Sequence, residues 1–168
     1  MKIIISDAST LILLQKIILL DKLVKNFNFI ISHEVYNEAV EKGKKVKSKD
    51  SYLIESKINK KIIKIKNIKD KKRVNKIINE FSLEKGEAEA IALFLQEKAD
   101  VLAIDDHKAI NVCKIYKIPF MTALTFVITA FDTKLIGREE AKEMIRYLDI
   151  HGRYKDELIY KAFNLMGA

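Results

Sequence analysis

The sequence predicts an α/β domain, a mostly parallel sheet covered by helices on both faces. Three observations predict it. Short β-branched runs alternate along the chain with stretches of helical period. Those runs are apolar at nearly every position, as strands buried on both faces are. The intervening stretches are long enough for helical crossovers, which join parallel neighbours with a right hand. The chain has 168 residues, 49% of them hydrophobic, enough for one domain with a sizeable core. It holds one proline, no Gly/Ser linker and no internal repeat. A single domain is expected over 1–168, with a basic insertion at about 44–80 and a C-terminal helical extension at about 124–168.

Residues 2–6 (Lys-Ile-Ile-Ile-Ser) are the first strand. A helix follows Asp7, with Leu11, Leu14 and Ile18 on one face and Ser9 or Thr10 as its cap. Phe29–Ile31 is a second buried strand. His33–Glu34 opens a helix through about Glu41, with Gly43 as its stop. Residues 48–60 are helical in pattern, 62–66 a short strand, and 69–80 helical again. Gly86-Glu87-Ala88-Glu89-Ala90 starts a strong helix to about Lys98. Val101–Ile104 is a third buried strand, closed by Asp105-Asp106, and a helix runs to about Tyr116. Phe120-Met121-Thr122 is a fourth. Helices at about 124–133, 138–148 and 154–166 end the chain, punctuated by Gly137 and Gly152.

Net charge is +8 but unevenly placed. From Lys42 to Lys76 there are 15 Lys/Arg against Asp50, Glu55 and Asp70, a local balance of +12. The remainder is 8 − 12 = −4. A basic block of this strength favours a polyanionic partner, because neutralised phosphates release counterions. A solvated, lysine-coated surface is the plainer reading of the same block. Cys113 is the only cysteine, in an apolar helical stretch, so it reads as buried and excludes Cys-rich zinc sites. His33, His107 and His151 show no metal-ligand spacing. No apolar run reaches the roughly 18 residues of a membrane span, and an acid arrives too early for a secretory signal. The expectation is a soluble, cytoplasmic protein with no membrane partner.

In an open parallel sheet, function gathers outside the carboxyl ends of the strands. Asp7 follows the first strand. Asp105 and Asp106 follow the third. Glu87 and Glu89 open the helix before that strand, and Glu38 lies one turn into the helix after the second. Four segments thus bring acids toward one edge. Singly, each has a structural role available, as an N-cap, a dipole partner or helix surface. Together, unpaired carboxylates repel one another and call for a cation. Oxygen ligands without Cys or His point to Mg²⁺ or Mn²⁺, and such sites commonly act on phosphates.

Several stretches resemble the PIN domain. They are strand–Asp7-x-Ser9, Val35-Tyr36-Asn37-Glu38, Gly86-Glu87-Ala88-Glu89-Ala90-Ile91-Ala92-Leu93, Leu102-Ala103-Ile104-Asp105-Asp106 with Ala109, and the tail from Leu135-Ile136-Gly137. The resemblance covers nearly the whole chain. The Gly86–Leu93 stretch is similar to a subgroup close to the VapC-type toxin nucleases of archaea and bacteria. It implies a Rossmann-like three-layer α/β/α sandwich and metal-dependent endonuclease action on RNA. Carried over, Asp7, Glu38, Glu89 and one or both of Asp105 and Asp106 become the catalytic, metal-site acids. Glu87, Ser9 and Thr122 become supporting residues, with Thr125 nearby. The usual Gly-Thr is Met121-Thr122 here. A small antitoxin that occludes the site, and homodimerisation, are further implications. Lys44, Lys45, Lys47, Lys71, Lys72 and Arg73 are then candidates to grip an RNA backbone without reading its sequence. His107 sits beside the acids.

Two other classes compete. One is a non-catalytic RNA- or protein-binding module with the same fold, which the retained acids oppose. The other is a phosphatase or phosphoryl-transfer switch. A haloacid-type phosphatase wants Asp where Ser9 stands, a receiver wants paired acids after the first strand, and no P-loop or G-x-G-x-x-G is present.

Overall fold

The computed structural model describes residues 1–167. Its five strands are β1 (Ile3–Ser6), β2 (Asn28–Ile31), β3 (Ile63–Ile65), β4 (Val101–Ala103) and β5 (Phe120–Met121). They form one all-parallel sheet in the order β3-β2-β1-β4-β5. The expected α/β/α architecture is the observed one. β1 and β2 are β-branched-rich and, like β4, mostly buried on both faces, while the edge strands β3 and β5 are more open; successive residues point to opposite helical layers. Ile4, Phe29, Ile31, Ile63 and Ala103 enter one core cluster. Ile5, Ile30 and Leu102 enter the other.

The first layer holds α1 (Ala8–Lys16), α2 (Leu20–Leu23), α5 (Lys49–Asn59), α9 (Ala123–Asp132), α10 (Arg138–His151) and α11 (Asp156–Leu165). The second holds α6 (Lys71–Phe81), α7 (Lys85–Glu97) and α8 (His107–Ile115), with Cys113 buried among them. Of the three C-terminal helices, α9 packs against β5, and α10 and α11 pack on α9. The basic segment is built in as well, since it supplies α5, the edge strand β3 and α6. Among the described residues, no helix is long and apolar enough to cross a membrane.

Three local expectations are corrected. Helix α1 is capped by Asp7, whose Oδ1 accepts from the Thr10 backbone N–H at 2.9 Å; neither Ser9 nor Thr10 is the cap. Ile18 is not on the buried face. The helix has ended at Lys16, and Ile18 sits at φ 64° with 63% of its surface exposed. Gly43 does not stop its helix. The chain from α3 (His33–Tyr36) runs through a π turn (Asn37–Glu41) into α4 (Lys42–Lys45), which contains Gly43. A Cβ at Gly43 would stand 1.7 Å from Ser51 Oγ, so this glycine is there for the close approach of α5.

The chain builds the sheet outward from β1 to β2 and β3, then returns to place β4 on the other side of β1. The crevice outside the ends of β1 and β4 is the switch point of the fold, where ligands bind in doubly wound sheets. Asp7 leaves β1 there, and Asp105-Asp106 leave β4 beside it.

Candidate active site

Asp7 is placed by strand pairing, its backbone N–H donating to Ala103 O at 3.1 Å. Its side chain is only 3% exposed. Besides capping α1 it accepts from Ser9 Oγ at 3.2 Å, so Ser9 does support this carboxylate. Burial drives the Asp7 carboxyl up to about 7, and the neighbouring charge of Asp105 adds to the rise.

Asp105 is tied on every side. Thr10 Oγ1 donates to Oδ2 at 2.8 Å, the Ala123 N–H at the start of α9 reaches both oxygens at 3.1 and 3.3 Å, and the Tyr154 hydroxyl donates to Oδ1. Tyr154 in turn accepts from the Leu124 N–H at 3.2 Å. These donors fill most of the four lone-pair sites a carboxylate has. Burial raises the Asp105 pKa while the Tyr154 and Thr10 hydroxyls hold it back. Asp105 thus clasps α1, α9 and the α10–α11 connection together. Asp106 is freer. Its Oδ1 caps α8 through the Ala109 N–H at 3.0 Å, which leaves Oδ2 for another partner.

Glu38 lies in the π turn, a distortion that often re-aims a functional side chain. Its carboxylate rests over Gly86 in the first turn of α7, where a Cβ would come within 2.6 Å of Oε1. Burial pushes the Glu38 pKa up; Lys42 opposes the rise, and Glu34, Glu84 and Glu89 add to it. Glu87 is driven up to about 7 by burial first and then by the charge of Asp106, with Glu84 and Glu38 contributing. One of its oxygens accepts from the Glu84 N–H at 3.2 Å, a capping-box contact.

Glu87 and Glu89 serve different spaces. Two residues along an α-helix are about 200° apart around its axis, so their side chains leave opposite flanks. Glu87 lines a cleft of about 480 Å³ with Glu84, Asp105, Asp106, His107 and Arg153. Glu89 lines a neighbouring groove of about 540 Å³, where it accepts from the Glu34 N–H at 3.4 Å. Glu38 links the two by charge: Glu89 contributes to raising its pKa, and its own charge contributes to raising that of Glu87.

Thr122 caps α9 through the Thr125 N–H at 3.2 Å and shares a hydroxyl contact with Thr125 at 3.0 Å. It directly precedes Ala123, whose N–H donates to Asp105. Of the six predicted cations, only Lys71 lines either space. Lys44 is taken by Glu55 at 2.8 Å and Arg73 lies 3.6 Å from Asp70. Lys45, Lys47 and Lys72 are exposed.

Sequence reasoning missed Tyr154, Thr10, Arg153 and Glu84. The Glu84-x-x-Glu87 spacing was a usable capping-box signal. Nothing local announced Tyr154 or Arg153, because only the packing of α10 and α11 on α9 brings them to the crevice.

Asp7, Glu38, Glu87 and Asp106 offer only hard oxygen donors. Burial first, and then nearby acids, Asp105 beside Asp7, Glu34 with Glu84 and Glu89 around Glu38, and Asp106 beside Glu87, hold Asp7, Glu38 and Glu87 toward their neutral forms. A divalent cation relieves that strain, so the donor chemistry fits Mg²⁺ or Mn²⁺. Among the described residues, no three His, Cys, Asp or Glu side chains are already gathered around one point.

Fold and site together define a class, a doubly wound α/β domain with an acidic crevice at its switch point. A family model described as PIN domain matches residues 3–167, and the chain belongs to the PIN domain family. PIN domains are generally nucleases and typically use divalent metal ions. No curated protein matches the chain.

Proposed function

We propose that this protein is a metal-dependent endoribonuclease that hydrolyses RNA phosphodiesters at the crevice between β1 and β4. The observation that carries the reading is electrostatic. Asp7 and Glu87, on different elements, are both raised to about 7 by burial and by facing acids, a cost that a nucleic-acid hydrolase recovers when cations bind.

Asp7, Glu38, Glu87 and the free oxygen of Asp106 would hold Mg²⁺ or Mn²⁺. Bound there, the ion supplies a hydroxide-like nucleophile and neutralises charge on the scissile phosphate. Asp105 acts through others, fixing Thr10 and therefore the first turn of α1 that presents Asp7. Arg153 and His107, which line the cleft, would orient a phosphate, Arg153 through its planar fork.

Mixed RNAs incubated with Mn²⁺ test the reading. The native chain is expected to cleave, and Asp7→Asn to lose at least about a hundredfold in rate, the scale of one removed catalytic electrostatic partner. Equal cleavage by both chains, or none by the native one, overturns it. Native-like RNA binding without cleavage would instead support a non-catalytic module.

A further inference from the structure

The groove beside the acidic cleft has a polarity of its own. Its floor carries Glu89, whose Oε2 is held by the Glu34 N–H at 3.4 Å. Its rim carries Lys71 and Lys85, both exposed. One wall is apolar, made by Ile68 and Val74, and Asn67 and Asn75 flank it. The spacings explain the arrangement. Lys71, Val74 and Asn75 share one face of α6, and Lys85 and Glu89 share one face of α7, each at three or four residues apart. The groove opens at the same end of the sheet as the crevice, since Asn67 and Ile68 follow β3.

An acidic floor repels phosphate, so a polyanion cannot lie along the bottom. A nucleotide satisfies both parts. Its phosphate meets Lys71 at the rim, its base slides against Ile68 and Val74, and a donor edge points down to the carboxylate. Glu accepts well from an exocyclic amine such as cytosine N4, and Asn pairs with the donor–acceptor edge of adenine. Unstacked bases of single-stranded RNA are read on such edges. A volume of about 540 Å³ accommodates one nucleotide.

Resting on the ribonuclease reading, we infer that this groove is a base-reading subsite for a nucleotide next to the scissile one. It prefers amino-bearing bases, cytosine or adenine, over uracil, and Glu89 reads the base instead of holding the metal.

The test is fluorescence anisotropy with labelled single-stranded 12-mers of C, A and U, in EDTA so that no cleavage occurs. The native chain is expected to bind the C or A 12-mer at least about fivefold more tightly than U, the low end for one specific contact. Glu89→Gln removes a negative charge and tightens binding to all three, so the ratio is the readout; it is expected to fall below about twofold. Asn75→Ala, on an exposed helix position, is expected to narrow the ratio without disturbing the fold. Lys71→Ala is expected to weaken all three equally. No base preference in the native chain, or one untouched by both Glu89→Gln and Asn75→Ala, overturns the inference. Cleavage by the native chain with Mn²⁺ is scored separately. A base preference lost in Glu89→Gln without any cleavage keeps the subsite and removes the nuclease; cleavage without base preference does the reverse.

Discussion

Asp7 performs two tasks that pull against each other. As an N-cap it stabilises α1; as a buried acid it disfavours its own charged form. Its carboxyl titrates at about 7 in the folded chain against 3.8 ordinarily. A raised acid pKa means that the favourable contribution is complete below the unfolded value and is lost as pH climbs through the folded one. Without metal, stability should therefore decline between about pH 4 and pH 7. Asp7→Asn keeps a capping oxygen and removes the charge, so it should be more stable than the native chain at pH 8 by on the order of a few kcal/mol, and equal at pH 4. Denaturant unfolding of both chains at the two pH values checks this. Gly86 makes the opposite bargain. Alanine there favours the helix by up to about 1 kcal/mol, yet its Cβ would meet the Glu38 carboxylate at 2.6 Å. Gly86→Ala should leave the melting temperature unchanged or raised while cleavage falls about tenfold or more, as Glu38 is displaced. At this scale the acids themselves were legible, because each follows a strand or opens a helix. The division between Glu87 and Glu89 was not drawn from the sequence, although the helical period contains it. The saturation of Asp105 was not legible, since Thr10, Ala123 and Tyr154 meet it across 95, 18 and 49 residues of chain.

Among the elements, the segment from α3 to α5 departs most from its sequence pattern. Gly43 reads as a stop signal, and the π turn has no residue signature at all. The chain continues because Ser51 in α5 fills the space a side chain would need. Two ion pairs pull α5 in, Lys44 to Glu55 at 2.8 Å and Lys16 to Asp50 at 3.0 Å. Gly43→Ala is therefore expected to destabilise by about 1–3 kcal/mol, the usual cost of overpacking, despite alanine's better helix propensity. A shift of the urea midpoint with an unchanged slope would be the signature; an unchanged or raised midpoint would show that α4 and α5 separate freely. Strands were read well in place and type because burial on both faces leaves a run with little polar interruption. The short α2 was not read, for four residues show no period.

For the whole molecule, strand order makes the candidate site. Returning from β3 across β1 to β4 sets Asp7 beside Asp105 and Asp106, and no local pattern reports that adjacency. The sequence carried the parallel fold and the end of the sheet where acids gather; it could not say which strands are neighbours. The charge asymmetry has a structural reading as well. The basic block forms the sheet edge and the wall of the Glu89 groove, while the acids occupy the centre. On the proposed reading, a strand of RNA held at the basic edge and cut at the acidic centre would need a cation to reconcile the two. Calorimetric titration of Mn²⁺ into the native chain and into Asp7→Asn and Asp106→Asn at pH 7.5 addresses that requirement most directly. Saturable binding by the native chain, weakened at least about tenfold in each variant, is the predicted result. Binding that is absent, or identical in all three chains, would contradict a shared ion at the β1–β4 crevice.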